Sequence, residues 1–183
     1  MNKQLLTLCL LLVAKGICAQ VIPPAPADKA VVYFARTSSL GFAINFTYFD
    51  SARFIGKANG ANYYRYECEP GRHLFWARSE NRDFIEADVD AGKIYFLEVI
   101  PQMGALKASV RLNAINPATD EKAMKRILKL LEKRTAEPLL ADDPDANTEK
   151  TKDIIQRGLE KYQQEKGEGK TMEQLEKTMY YQG

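Results

Sequence analysis

Between residues 29 and 114 apolar and polar positions exchange over short distances, and the period is that of strands. Phe42, Ile44, Phe46 and Tyr48 alternate with Ala43, Asn45 and Thr47, which predicts a strand with one buried face. Residues 30–35 and 94–100 are apolar on both parities and rich in β-branched and aromatic types, the pattern of strands covered on both sides. Turn chemistry separates these runs at Ser38-Ser39-Leu40-Gly41, Asp50-Ser51, Asn59-Gly60, Glu69-Pro70-Gly71, Asn81 and Ala91-Gly92. The spacing predicts a mainly β fold, an antiparallel β-sandwich of about seven or eight strands over residues 29–115, followed by C-terminal α-helices.

After Ala114 the period changes. Asn116 and Pro117 supply a helix start, and Met124, Ile127, Leu128 and Leu131 then recur at helical spacing. The stripe predicts an amphipathic helix over residues 116–135 packed on the sandwich, in preference to one docked on a cofactor or partner. Lys122, Lys125, Arg126, Lys129, Lys133 and Arg134 cover the opposite face, either as a solvated surface or as a contact to an anionic membrane. Residues 136–183 read as a charged linker and helical tail. Pro138, Asp142, Asp143 and Pro144 break the chain, and residues 148–165 look helical with only Ile154, Ile155, Leu159 and Tyr162 as anchors. Residues 166–170 have the composition of a spacer, and Met172, Leu175 and Met179 predict a last short amphipathic turn series. So thin a stripe predicts a tail that frays when free.

The N-terminus sets the compartment. Lys3, an apolar run over residues 5–14 and the small-residue exit Ile17-Cys18-Ala19 before Gln20 make residues 1–19 a secretory signal peptide. The run is too short to span a bilayer and is stopped by Lys15 and Gly16. Cys18 raises a lipoprotein reading, which Lys15-Gly16-Ile17 fits poorly. Cleavage after Ala19 implies a periplasmic or secreted protein that begins with a Pro/Ala-rich segment, residues 20–28. Without Lys3 and Lys15 the 26 basic residues become 24, equal to the 24 acidic ones. A neutral chain gives no electrostatic case for nucleic acid. Of the three cysteines only Cys68 falls inside the fold, where it is buried, free or paired with another molecule; the parity it shares with Tyr64 and Tyr66 favours burial.

Candidate chemistry is sparse. Cys68 and the single histidine, His73, flank the Pro70-Gly71 turn, but no third group identifies a nucleophile and its base. Glu86, Asp88 and Asp90 share one strand face, as a solvated face would or as a calcium site would. Asp83, Glu86 and Asp88 are the carboxylates an acid/base hydrolase would draw on. The candidate ligand or partner surface is Tyr63, Tyr64, Arg65, His73 and Trp76: both parities of residues 63–66 carry aromatic rings, so at least one ring faces outward. Asn45-Phe46-Thr47 matches a glycosylation sequon inside a predicted strand. A glycine-rich phosphate loop, paired metal-ligand cysteines and a nucleophile elbow are all missing from the sequence. The expectation is a non-enzymatic interaction or scaffold protein without cofactor or metal, with a small-ligand or glycan-binding module on the surface aromatics as the alternative. Its partner would be an envelope protein or glycan, with peripheral membrane contact through the C-terminal helices; the oligomeric state is not specified.

Several stretches carry a resemblance. Lys29-Ala30-Val31-Val32-Tyr33-Phe34-Ala35-Arg36, the turn Glu69-Pro70-Gly71-Arg72-His73, Gly92-Lys93-Ile94-Tyr95-Phe96-Leu97-Glu98-Val99 and the strand leading to Ala123 and Leu128 follow one another in an order that resembles the domain of unknown function 2846 family of exported bacterial proteins, over about residues 27–131. The Pro-Gly-x-His turn is also similar to that of PEGA-type surface modules. The resemblance implies a compact β-sandwich-like module of the cell envelope, with no established reaction and no catalytic residues to transfer. Residues after Asp142 depart from that pattern.

Overall fold

The computed structural model describes residues 22–103, 108–140 and 144–183. The signal-peptide reading of residues 1–19, with Cys18, lies outside the described residues. The runs that are apolar on both parities form the middle of a sandwich. β1 (Ala30–Arg36) lies between β4 (Asn62–Cys68) and β7 (Ile94–Met103), and β8 (Ala108–Ile115) completes a sheet ordered β4-β1-β7-β8. β2 (Phe46–Asp50), β3 (Arg53–Ala58), β5 (Gly71–Arg78), β6 (Arg82–Val89) and the short β9 (Glu173–Leu175) form a second sheet ordered β3-β2-β5-β6-β9. The sandwich is as expected, but its sheets are mixed. β1 runs parallel to β7 because most of the second sheet is built between them, and β9 runs parallel to β6.

Four layers result. Between the sheets Val32, Phe34, Tyr64, Leu97 and Leu112 meet Phe46, Tyr48, Phe75 and Ile85. The outer face of the first sheet, with Val31, Tyr33 and Phe96, is covered by Ile22 and by α1 (Glu121–Lys133) through Met124, Ile127, Leu130 and Leu131. The outer face of the second sheet, with Phe49, Trp76 and Phe84, is covered by α2 (Glu149–Gly167) through Ile154, Ile155 and Tyr162. Both outer faces are therefore core, which is why β1 is apolar on both parities. No helix among the described residues is long and apolar enough to cross a membrane.

Three expectations shift. The alternation from Phe42 becomes a strand only at Phe46, and Phe42 is 71% exposed. The buried Arg36 guanidinium donates to the carbonyls of Leu40, Gly41 and Ile44 at 2.8, 2.9 and 3.0 Å, which folds residues 37–45 into a loop instead. The first helix starts at Glu121 rather than at Asn116. The Asn116 side chain accepts from the Ala118 amide at 3.1 Å, and the Asp120 carboxylate accepts from the Asn116 amide at 2.8 Å, so the Asn-Pro pair makes a turn. The tail is docked rather than frayed. Gly158 lets α2 press against the Trp76 ring, and Leu175 belongs to the strand that extends the sheet beyond β6, with Met172 just before it, rather than to a helical turn.

The sheet edges are covered too. The segment after α1 crosses both sheets, with the Glu137 amide on the Tyr63 carbonyl (2.8 Å) and the Leu140 amide on the Ile55 carbonyl (2.9 Å). Along β8 the amides of Val110, Leu112 and Ala114 donate to side chains of Asn81, Asp83 and Glu173 at 2.7, 2.7 and 2.5 Å. An uncovered edge would be a template for pairing with another chain.

Candidate functional site

The five residues expected to share a surface occupy four separate places. Tyr64 points into the inter-sheet core at 1% exposure, and Trp76 is fully buried beneath α2 with its Nε1 donating to the Ser51 carbonyl at 2.9 Å. Tyr63 and Arg65 lie on the outer face of the first sheet. Tyr63 packs on Tyr33 and donates to the Arg134 carbonyl at 3.3 Å; Arg65 pairs with Glu67 and donates to the Pro24 carbonyl at 3.2 Å. Only Tyr63 supplies the expected outward ring of the first three aromatics, and a helix covers Trp76, so these side chains make no joint aromatic platform.

His73 closes one end of the sandwich interior. Its Nδ1 lies 2.8 Å from Asp50 Oδ2 and its Nε2 lies 2.8 Å from the Glu69 carbonyl, while Tyr66 donates to the same Asp50 oxygen at 3.0 Å. The ring lies flat on Phe75 with centroids 5.2 Å apart. Hydrogen bonds to Asp50 and then Cys68, with the Glu69 carbonyl adding to them, raise the His73 pKa to about 10. At neutral pH it is an imidazolium donating from both nitrogens, with no lone pair to act as a base on the buried Cys68 beside it. The turn brings the Cys-His pair together and Asp50 holds it as a clasp between sheets.

The carboxylates are similarly engaged. Glu86 accepts from Tyr162, Lys166 and Gln174 at 2.5, 2.7 and 2.8 Å, and these bonds, led by Lys166, hold its pKa down to about 2. Lys177 lies 3.5 Å from Asp88 and 3.2 Å from Asp90, so cations of the chain itself meet the face once considered for calcium. No metal-holding cluster of three or more ligands occurs among the described residues. Burial raises the pKa of Asp83 and of Glu173 while each accepts a β8 amide. A groove of about 760 Å³ runs past these groups, with Glu86 paired to Lys166 and Asp88 to Lys177 across it, while Arg72 and Glu176 line it without an ion pair among the described residues.

The opposite end of that sheet is different. On the outer face Thr47 pairs in register with Lys57 on one side and Arg78 on the other, a polar row across β3, β2 and β5. The next positions inward are Phe49 and Phe54, with Phe49 stacked on Trp76 at 3.9 Å. α2 and the covering segment form the facing wall with Lys150, Thr151, Ile154 and Leu140. They enclose an open cleft of about 480 Å³, within the ~300–1,000 Å³ usual for small-molecule sites. Lys57 and Lys150 are exposed, Arg78 is half-buried, and among the described residues none of the three has an ion-pair partner. Glu80 is the one acid on the rim among the described residues. Thr148 caps the helix that opens onto the cleft, accepting from the Thr151 amide at 3.2 Å.

This cleft can hold an anion above an apolar floor; it contains no paired acid and base. Sequence reasoning missed it because its residues come from four segments far apart in the chain. The one legible signal was the run Thr47-Tyr48-Phe49, where polar and aromatic residues share the outward parity of a strand. No family model matches the chain, and neither a curated protein nor a solved structure matches it.

Proposed function

We propose that this chain is a non-enzymatic binding module of the bacterial cell envelope, exported by residues 1–19, resembling the domain of unknown function 2846 family and working through the cleft between β2, β3, β5 and α2. The observation that carries the reading is a contrast in pairing. His73, Cys68, Glu86 and Asp83, the side chains with chemistry to offer, are held in internal contacts, whereas three cations around an apolar-floored cleft have no ion-pair partner among the described residues. Unmatched polar groups over a concave apolar surface are what a binding site presents before its ligand arrives. The cleft replaces the aromatic surface as the place for a small ligand, because Tyr64 and Trp76 are buried.

The test is native mass spectrometry of the protein after incubation with an extract of its own cells' envelope, beside an Asn45→Trp variant that fills the cleft mouth from an exposed position. A low-mass ligand on the wild type and its loss in the variant is the expected result. Equal occupancy in both, none in either, or turnover of a substrate panel at a rate abolished by His73→Gln or Cys68→Ser would overturn the reading.

A further inference from the structure

We propose that the ligand is an anionic amphiphile with a single acyl chain, its carboxylate or phosphate head held by Lys57, Arg78 and Lys150 and its chain laid on Phe49, Phe54 and Ile154. The inference rests on the reading of this cleft as the binding site. The two halves of the cleft differ in chemistry, and that difference selects the ligand.

The head comes from the register. Lys57 and Arg78 stand on the strands either side of β2, so their backbones are about two strand spacings, ~10 Å, apart, and two long flexible cations facing the same way can converge on one oxyanion. Lys150 approaches from the facing wall in the first turn of α2, where the helix dipole adds to the positive potential. Among the described residues Glu80 leaves an excess of two positive charges, suited to one compact anion rather than to a polyanion.

The tail comes from the floor. Phe49, Phe54 and Ile154 offer carbon to a ligand at the base of the cleft, while Asn45, Thr47, Ser79, Thr148 and Thr151 add polar groups to its lining. A neutral lipid would leave the cations unmatched and a bare anion would leave the floor wet. An amphiphile satisfies both.

Trp76, the single tryptophan, stacks on Phe49 directly behind the floor, so its emission reports occupancy. The experiment titrates the full-length protein with decanoate, decanol and inorganic phosphate, following Trp76 emission and heat. Decanoate should bind about tenfold or more tighter than either half-ligand, and Arg78→Gln or Lys57→Gln should weaken decanoate about tenfold while leaving decanol unchanged, as expected for a lost charge-assisted hydrogen bond. Lys150→Gln, at an exposed position, carries the same test if Arg78→Gln fails to fold by circular dichroism. Phosphatidylcholine vesicles carrying lysophosphatidylglycerol, a membrane lipid with one acyl chain, form a further arm. Flotation abolished by Lys57→Gln would place the head in a membrane lipid, and decanoate binding without flotation would place it on a free amphiphile. Equal affinity for decanol overturns the role of the cations, and equal affinity for phosphate overturns that of the floor. No response to any of the three overturns the ligand class, while the cleft itself stands or falls separately with the Asn45→Trp comparison.

Discussion

Replacing Gly158 with alanine distinguishes a docked tail from a loose one by sign alone. In a solvated helix the change is favourable by up to ~1 kcal/mol, because glycine carries the larger entropy cost. In this fold a Cβ at position 158 would lie 2.4 Å from Trp76 Cη2 and 2.8 Å from Cζ2 and Cζ3, closer than carbon atoms approach. The ring cannot yield. It is stacked on Phe49 at 3.9 Å, and its Nε1 is tied to the Ser51 carbonyl. α2 must therefore back away, opening contacts along Ile154, Ile155 and Tyr162. Overpacking costs ~1–3 kcal/mol, and an approach of 2.4 Å to a held ring belongs to the upper ~2–3 kcal/mol, which after a propensity gain of up to ~1 kcal/mol leaves a net loss of about 1–2 kcal/mol. For a chain of this length that is a fall in Tm of about 2–8 °C. Gly167, at the end of the same helix with nothing within 4 Å of a built Cβ, is the control, and Gly167→Ala should leave Tm unchanged or raise it slightly. Urea and thermal unfolding followed by Trp76 emission and far-ultraviolet circular dichroism give both numbers. A stabilising Gly158→Ala would refute the docking of α2 and, with it, the facing wall of the cleft.

Other expectations follow from the clasps. His73 has a folded pKa raised to about 10 from 6.5, so its contribution is complete below pH 6.5 and is lost as the pH rises through about 10. Urea midpoints should fall across that window in the wild type and lose most of the slope in His73→Gln. Asp50→Asn should cost about 2–3 kcal/mol at pH 7, toward the low end for a buried pair because both partners keep about a tenth of their side-chain surface in water. Glu86 has the opposite sign: its pKa is depressed from 4.5 to about 2, so its contribution is complete above pH 4.5 and disappears as the pH falls toward 2. Glu86→Gln should flatten the acid limb of the same profile. Arg36→Met keeps the apolar stem but releases the carbonyls of Leu40, Gly41 and Ile44. Chymotrypsin should then cut at the exposed Phe42 markedly faster, and unchanged cleavage would refute the clamp.

Period and turn chemistry made the sandwich legible, because strands with buried faces must alternate or be apolar throughout. Three things could not be read locally. A thin apolar stripe suffices for α2 because Gly158 brings a large ring within reach, and a glycine does not register in any count of hydrophobic positions. The spacing of Met172, Leu175 and Met179 is helical, but the open edge of β6 supplies backbone partners that a lone helical turn would lack, so the segment pairs as a strand. Trp76, expected on a ligand surface, faces away from the core between the sheets but is covered by residues nearly eighty positions later. The same distance hides the cleft, whose cations lie on two strands and a helix. Within one segment, Lys57 or Lys150 looks like any solvated lysine.

What gives those cations meaning is the company they keep. Several polar side chains elsewhere in the described fold are drawn into contact: Asp50 joins His73 to Tyr66 across the sheets, Glu86 ties β6 to α2 and β9, and Asn81, Asp83 and Glu173 quench the free edge of β8. Even Glu98, buried in β7, receives a two-point contact from Arg126 of α1 at 2.8 and 3.0 Å. Each contact replaces the water a polar group gives up on burial, and so joins two elements that apolar packing alone would allow to slide. Among the described residues Lys57, Arg78 and Lys150 have no ion-pair partner. They flank an apolar floor whose burial leaves room for a guest, on the one face where β-strands, a helix and a crossing segment meet. Mutual repulsion among three like charges around one opening lowers stability in the empty state, and a bound anion would remove it. Decanoate should therefore raise Tm more in the wild type than in Lys57→Gln, and an equal shift in both would mean that the cations are merely solvated.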